Sequence, residues 1–157
     1  MALQIREADI QDYADILQLH GQVHEIHVEH RPDLYRSAQS TLDLHYFTEL
    51  LNDEKSKILV VGNDKLVAYT ILKVQEAPNR PILVPRRSLY VNDICVDEAC
   101  RGKGIGKLLF QKVKDYAKSV GASSLELGVL AFNERAIDFY HAMGMNVKSV
   151  RMELEIR

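Results

Sequence analysis

The sequence predicts a single α/β (α+β) domain, built on a mixed, mostly antiparallel central sheet of about six or seven strands with helices on both faces. The length of 157 residues suits one compact core. Hydrophobic residues make up 46% of the chain and charged residues 27%, which is typical of globular rather than disordered proteins. Segments with helical spacing also alternate with short β-like segments along the chain.

The first third of the chain contains two helical patterns. A short apolar stretch at residues 3–5 predicts an opening strand. Asp9 stands where an N-cap is expected, and the apolar residues after it recur at helical spacing until Pro32 ends the helix. Gly21 is a candidate break in this helix. Residues 40–43 resemble a capping box, with Asp in place of Glu, and predict a second helix.

The rest of the chain alternates strands and helices. Two β-like segments around turn residues predict a hairpin over 58–74. The remaining predicted elements are a mostly buried strand over 88–96, a helix over 104–120, a strand over 125–130, a short helix over 133–142 and a final strand in which Val150, Met152, Leu154 and Ile156 alternate with polar residues.

Charge is distributed unevenly along the chain. Residues 7–54 contain 11 acidic and 2 basic residues, whereas residues 101–118 contain six basic residues and one acidic residue. The acidic region favours a cationic partner and the basic segment favours an anion, although two differently charged helix faces explain the same numbers. Without a long apolar run or a secretory signal, and with two cysteines only, we expect a cytoplasmic protein that does not bind membranes.

A glycine-rich segment lies between a predicted strand and a predicted helix. It reads Arg101-Gly102-Lys103-Gly104-Ile105-Gly106-Lys107. Its glycines allow close approach to the main chain, and the unpaired N–H groups of the helix start favour an anion such as a pyrophosphate. A Walker loop matches poorly because Leu108 stands in place of Ser or Thr, and the glycine spacing differs from a Rossmann fingerprint.

Two spaced motifs carry a family resemblance. Arg101-x-x-Gly104-x-Gly106 after a strand resembles the coenzyme A motif Arg/Gln-x-x-Gly-x-Gly/Ala of the GNAT superfamily of N-acetyltransferases. Asn133-x-x-Ala136 and Tyr140-x-x-x-Gly144-Met145 resemble a later motif of that family, with Met145 in place of the usual Phe. The resemblance covers the order of elements along the whole chain.

The resemblance implies a GNAT-like acyl-CoA N-acyltransferase fold. Residues 1–157 would form one N-acetyltransferase domain, with acceptor-side helices in 1–56 and an acetyl-CoA-binding core in 88–145. The reaction would be direct attack of a primary amine on the thioester of acetyl-CoA, without a covalent enzyme intermediate. The alternative is a non-catalytic acyl-CoA-binding module that senses or regulates.

The resemblance also implies roles for individual residues. Tyr140 would be the general acid that protonates the departing thiolate. A spacing of seven residues places Asn133 and Tyr140 on one helix face, although an N-cap and a packing aromatic are the ordinary explanations for them. The residues implied in coenzyme binding are Ile94, Cys95, Val96, Arg101, Gly102, Lys103, Gly104, Ile105, Gly106, Lys107 and Asn133.

Two carboxylates are candidates for the general base. Several relatives have Glu at the position of Gly128, and Glu126 lies two residues earlier, on the same side of a regular strand. Asp93 in the central strand is the other candidate, and its alternative role is a buried carboxylate bound to the main chain or to Tyr90. Both Asp93 and Glu126 therefore join Tyr140 as candidate catalytic residues.

The predicted partners are acetyl-CoA and an amine. The acidic first third favours a cationic acceptor, namely a polyamine, an aminoglycoside, or a lysine or N-terminal peptide. Nucleic acid is not expected, because the basic patch is the implied coenzyme site. A homodimer is left open by the sequence.

The histidines of the first helix offer a second candidate site. His20, His24 and His27 are spaced so that they share a helix face and resemble zinc ligands, but no Cys or carboxylate pattern accompanies them. We therefore expect no metal. His24, His27 and Glu29 are candidates for residues near the acceptor amine, because the first two helices flank the acceptor site in the family.

Overall fold

The central sheet has five strands in sequential order. The computed structural model describes residues 2–157, so that Met1, where the predicted domain begins, lies outside the described residues. The first four strands pair antiparallel, and the fifth runs parallel to the fourth. The strands are β1 (Ile5–Glu7), β2 (Ser56–Gly62), β3 (Leu66–Glu76), β4 (Arg87–Val96) and β5 (Ser124–Leu127).

Helices cover both faces of this sheet. They are α1 (Tyr13–His30), α2 (Leu44–Asn52), α3 (Ile105–Ser119) and α4 (Glu134–Ala142). One core lies under α1 and α2, where Ile16 and Phe47 pack against Tyr69 and Ile71 of β3. The opposite core lies under α3 and includes Leu72, Leu89, Leu109 and Val113. Burial of such side chains contributes about 1.5–3 kcal/mol each, so the two cores fix the sheet between its helices.

Local capping determines where the helices begin and end. Asp9 caps a turn of 3-10 helix that leads into α1, and α1 continues through Gly21 without a break. Asp43 caps α2, because its carboxylate accepts the N–H of Tyr46 at 3.1 Å. The predicted second cap therefore belongs to Asp43 and not to Ser40.

The predicted fold class is confirmed, but the predicted strand count is too high. β5 ends at Leu127, short of the predicted end at position 130. The predicted final strand does not form within the chain, because residues 146–157 pair with no strand among residues 2–157. Alternation predicts which side chains share a face, but a strand also needs a neighbour that accepts its main-chain hydrogen bonds.

Within residues 2–157, every helix is too short or too polar to cross a bilayer.

Candidate active site

The pairing of β4 with β5 stops at Val91 and Leu127, and the space beside β4 beyond this point is called the cleft. The two strands pair from Ser88 opposite Ser124 to Val91 opposite Leu127, and β5 then ends. β4 continues to Val96, paired on its other side with β3. The β5-facing edge of β4 is therefore open over residues 92–96, which include the predicted coenzyme-contacting residues 94–96. A free strand edge of this kind can pair with the amide groups of an extended ligand.

One extra residue in β4 determines which side chains face each side of the sheet. Val91 pairs with Leu72 and Asp93 pairs with Ile71, so Asn92 has no counterpart on β3. Such a bulge reverses the alternation of side chains in the strand that carries it. Val91 accordingly packs in the core under α3, whereas Asp93 shares the face of Ile71, under α1.

Asp93 has one occupied and one free carboxylate oxygen. The hydroxyl of Tyr69 donates to its Oδ2 at 3.4 Å, and the Nε2 atom of His20 lies 3.4 Å from the same oxygen. The other oxygen, Oδ1, has no hydrogen-bond partner among residues 2–157. The side chain is 27% exposed. Oδ1 is thus free to accept a hydrogen bond from a ligand.

The surroundings of Asp93 make it more basic than an ordinary aspartate. Burial raises its pKa to about 6, and the hydrogen bond from Tyr69 opposes this shift. Burial lowers the pKa of His20, as does the nearby charge of His24, so His20 is neutral at pH 7. The Nδ1 atom of His20 lies 2.7 Å from the hydroxyl of Thr41, and Nε2 carries the proton when Nδ1 accepts from that hydroxyl.

Tyr140 is on α4 and is the predicted general acid. Burial raises its pKa to about 12, and the charges of Asp93 and Cys95 add to this shift. Its hydroxyl forms no hydrogen bond within the described part of the chain. A phenol with this pKa is protonated at neutral pH and can donate a proton or a hydrogen bond. Asp93 is therefore near enough for its charge to act on the hydroxyl of Tyr140.

Asn133 begins α4. Its side-chain oxygen accepts the N–H of Ala136 at 3.2 Å, which is an N-cap, and its amide nitrogen remains available. The preceding residue, Phe132, stacks on His30 of α1 with ring centroids 4.6 Å apart. The end of α1 is thereby attached to the loop that leads to Asn133.

The glycine-rich segment presents unpaired N–H groups to solvent. None of the main-chain N–H groups from Arg101 to Lys107 donates to an acceptor within residues 2–157. Gly102 and Gly104 have φ angles of 79° and 80°, a region that favours glycine, and an added Cβ on either would meet only open space. Gly106 is packed closely instead, since a Cβ there would lie 3.3 Å from the ring of Phe139.

These donors fit the phosphates of a coenzyme. The free N–H groups lie at the N-terminus of α3, where the helix dipole also favours an anion, and the basic side chains of Arg101, Lys103 and Lys107 surround them. Arg101 is oriented by a bond from its Nε atom to the carbonyl of Val96 at 3.3 Å. Together with the open edge of β4, the segment can hold a long ligand with an anionic end.

Two other residues predicted for the site, Glu126 and Cys95, have surroundings that differ from those of Asp93. Both carboxylate oxygens of Glu126 have partners, Lys148 at 2.8 Å and Ser124 at 3.3 Å, and the bond from Lys148 lowers the pKa of Glu126. Glu126 pairs in register with Tyr90, which is three residues from Asp93 along β4. Cys95 is buried, and burial raises the pKa of its thiol to about 12. Of the two candidate bases, only Asp93 has a carboxylate oxygen without a partner among residues 2–157 and a charge that acts on Tyr140.

The sequence carries no signal for some residues of the site. Asn92 and Tyr69 lie inside ordinary β-like patterns. Thr41 lies inside the capping-box pattern of residues 40–43, and the spacing of His20 indicates only a zinc ligand. His24 instead contacts the carbonyl of Arg36, and His27 stacks on Tyr35. Within residues 2–157, no three His, Cys, Asp or Glu side chains form a group that could hold a metal ion.

The sequence matches a known family over most of its length. Residues 21–145 match the acetyltransferase (GNAT) family. The chain belongs to this family, which confirms the family predicted from the sequence. The family is one of N-acetyltransferases, which use acetyl-CoA as cosubstrate and an amine as acceptor.

Individual relatives agree with this assignment. The chain is 45% identical over 58 residues to a thialysine N-epsilon-acetyltransferase of Bos taurus, covering 37% of this chain and 34% of that protein. It is 38% identical over 85 residues to an L-ornithine N5-acetyltransferase of Arabidopsis thaliana, covering 54% of this chain and 36% of that protein. The matched part of the chain thus spans about a third of the length of these curated relatives.

A solved structure is similar over nearly the whole chain. The crystal structure of a tetramutant of the BH1408 protein from Bacillus halodurans superposes with a TM-score of 0.94 at 41% sequence identity. The match covers 98% of this chain and 99% of that chain. The fold described here is therefore that of an experimentally determined relative.

Proposed function

We propose that the protein transfers the acetyl group of acetyl-CoA to the primary amine of a small cationic acceptor. The observation that carries this proposal is the free Oδ1 atom of Asp93, together with Tyr140, which lies near enough for the charge of Asp93 to raise the pKa of its hydroxyl. Glycine-loop N–H groups would hold the pyrophosphate, the open edge of β4 over residues 94–96 would pair with the pantetheine arm, and the amide of Asn133 would bind beside it.

Asp93 would bind the acceptor and take its first proton. An alkylammonium ion must lose a proton before its nitrogen can attack, and a carboxylate with a pKa of about 6 is a better base than an ordinary aspartate. Nitrogen then forms a bond to the carbonyl carbon of the thioester, and the bond from that carbon to sulfur breaks. Tyr140 donates its proton to the sulfur and regains one as the second proton leaves the nitrogen.

The acceptor class is supported by charge and by the relatives. The strongly acidic balance of residues 7–54 would attract a cation to the side of the sheet on which Asp93 lies. Thialysine and ornithine, named for two relatives, both carry a primary amine on a flexible chain. An amino acid or polyamine with such an amine is the proposed acceptor, and a cytoplasmic location stays a prediction.

The test is release of coenzyme A thiol against a panel of amines. The panel contains thialysine, ornithine, lysine, spermine, an aminoglycoside and an N-terminal peptide, and coenzyme A binding is measured in parallel by calorimetry. Tyr140→Phe is expected to lower kcat by about 10²–10⁴ while coenzyme A binding is retained. Tyr116→Phe, on α3 outside the cleft, is the matched control.

Each outcome distinguishes between functions. Thiol release with one or a few alkylamines supports the proposal and identifies the acceptor class. Coenzyme A binding without release for every amine supports the acyl-CoA sensor instead. Equal turnover of wild type and Tyr140→Phe removes Tyr140 as the acid.

A further inference from the structure

One turn of α1 contacts the chain on both sides of the end of β4. The Nε2 atom of His20 lies 3.4 Å from the carboxylate of Asp93. Gln22, two residues later on α1, contacts Asp97 and Glu98, which follow β4. The helix that carries His20 to the candidate base is therefore also attached to the chain that leads into the glycine-rich segment.

Both polar ends of the Gln22 side chain form hydrogen bonds. Its Nε2 atom donates to Oδ1 of Asp97 at 3.3 Å, and its Oε1 atom accepts the main-chain N–H of Glu98 at 3.0 Å. Only this orientation of the amide satisfies both partners, because a carboxylate accepts and a main-chain N–H donates. Two bonds from one planar amide fix the position and the direction of the chain at residues 97–98.

These two bonds attach a short turn, called the entry turn, which consists of residues 97–100. Asp97 caps a single turn of 3-10 helix, with its carboxylate accepting the N–H of Ala99 at 3.1 Å and its carbonyl accepting the N–H of Cys100 at 2.8 Å. The N–H of Asp97 donates to the carbonyl of Val67 on β3 at 2.7 Å. The entry turn is thus bonded to β3 on one side and to α1 on the other.

The glycine-rich segment that follows the entry turn depends on its ends for its shape. Its main-chain N–H groups from Arg101 to Lys107 donate to no acceptor within residues 2–157. Glycine also has more conformational freedom than other residues, so that Gly102 and Gly104 do not hold these groups in one direction by themselves. The entry turn at one end and α3 at the other are the supports that direct the N–H groups.

We infer that Gln22 is a positioning residue for the binding of the coenzyme phosphates. It acts through the entry turn and keeps the following N–H groups arranged for the pyrophosphate before the coenzyme arrives, which lowers the entropic cost of binding. The inference rests on the coenzyme site of the proposed function. It predicts that Gln22 matters for ligands that carry the phosphates and not for the pantetheine arm, which would pair with the open edge of β4.

Gln22→Leu tests this inference, because it removes both bonds and keeps a side chain of similar size. Calorimetry is expected to give a dissociation constant for coenzyme A about three- to tenfold higher than in wild type. Pantetheine has the same arm without phosphates, and its dissociation constant, measured by an NMR titration, is expected to stay unchanged. A general disturbance of the fold would weaken both ligands.

Two further variants separate the bonds from other effects of the substitution. Gln22→Glu keeps an acceptor for the N–H of Glu98 but turns a second carboxylate toward Asp97, and it is expected to weaken coenzyme A binding more than Gln22→Leu does. Gln18→Leu makes the same change at an exposed position one turn earlier on α1, and it is the matched control. Circular dichroism checks that each variant is folded.

Hydrogen exchange in the absence of coenzyme measures the entry turn directly. The main-chain amides of Ala99 and Cys100 are bonded to Asp97, so they report whether the turn is closed. They are expected to exchange faster in Gln22→Leu than in wild type, and at the wild-type rate in Gln18→Leu. This measurement requires neither coenzyme binding nor activity.

Three results would overturn the inference. The first is an equal affinity for coenzyme A in wild type and Gln22→Leu, and the second is an equal loss of affinity for coenzyme A and for pantetheine. The third is unchanged exchange of the Ala99 and Cys100 amides in Gln22→Leu. A wild type that does not bind coenzyme A would overturn the proposed function as well. Selective weakening of coenzyme A in an enzyme that acetylates no amine would support the inference and reject only the proposed catalysis.

Discussion

Tyr69 and Asp93 are joined across the β3–β4 pair by a hydrogen bond of 3.4 Å from the hydroxyl of Tyr69 to Oδ2 of Asp93. Tyr69 is fully buried, and burial raises the pKa of its hydroxyl well above the ordinary value. It is therefore protonated over the whole range in which Asp93 ionises. The bond stabilises the ionised carboxylate and uses only Oδ2, so that Oδ1 stays without a partner among residues 2–157.

Tyr69→Phe is expected to raise the pKa of Asp93 further, because the bond that lowers it is lost. A hydrogen bond of ordinary strength corresponds to a rise of about 0.3–1 pH unit. If Asp93 is the base, the acidic limb of the kcat/KM profile moves to higher pH by that amount. Tyr90→Phe, on the same strand as Asp93, is the control, and a limb that moves equally in both variants would contradict the prediction.

Asp93→Asn is expected to stabilise the protein at pH 8 and to leave its stability unchanged at pH 4. The raised pKa means that folding disfavours the ionised form. Between pH about 4 and about 6 the folded state binds more protons than the unfolded state, so stability falls as the pH rises. Above pH 6 the folded state carries the full free-energy cost of the ionised carboxylate. Its size is up to about 3 kcal/mol.

Urea unfolding of Asp93→Asn at both pH values measures this cost. Asp138→Asn, at an exposed carboxylate on α4, is the control and should change the free energy of unfolding little at either pH. A loss of stability at pH 8 in Asp93→Asn would show that the site does not penalise the charge.

Two glycines are expected to respond oppositely to alanine. Gly21 lies within α1, and an added Cβ would meet nothing within 4 Å, so Gly21→Ala should stabilise the protein by about 0.5–1 kcal/mol. Gly104 has open space as well but a φ of 80°, so Gly104→Ala should destabilise it by about 1–2 kcal/mol. Thermal unfolding of the two variants measures these changes in stability. Equal effects would mean that the space around the glycine, rather than its backbone conformation, determines the change.

The two cysteines are expected to differ in reactivity. Cys95 is buried, its Sγ atom contacts the carbonyl of Leu19 at 3.3 Å, and its pKa is raised to about 12. Cys100 is partly exposed. An aromatic disulfide reagent should therefore modify one thiol in the native protein and two in urea. Cys100→Ser should show no native reaction, and modification of Cys95 in that folded variant would contradict the assignment.

The sequence was sufficient for the family and for most elements. The glycine loop, the cap at Asn133 and the periodicity of α3 are local features, and local features can be recognised in a single sequence. The environment of Asp93 could not be derived in this way, because Tyr69 and His20 reach it from a neighbouring strand and a distant helix. The prediction of a final strand was wrong for the same reason, since alternation is a local feature and strand pairing depends on residues that are distant in the chain.

Asn92 makes the position of Asp93 depend on the number of residues in β4 as well as on their kinds. If Asn92 paired with β3 and alternation were regular, Val91 and Asp93 would share one face, and the carboxylate would turn toward α3, away from His20 and Tyr69. The side of the sheet on which Asp93 lies therefore depends on the unpaired residue before it. A substitution at Asn92 that keeps the bulge leaves Asp93 in place, whereas loss of the bulge at constant length does not.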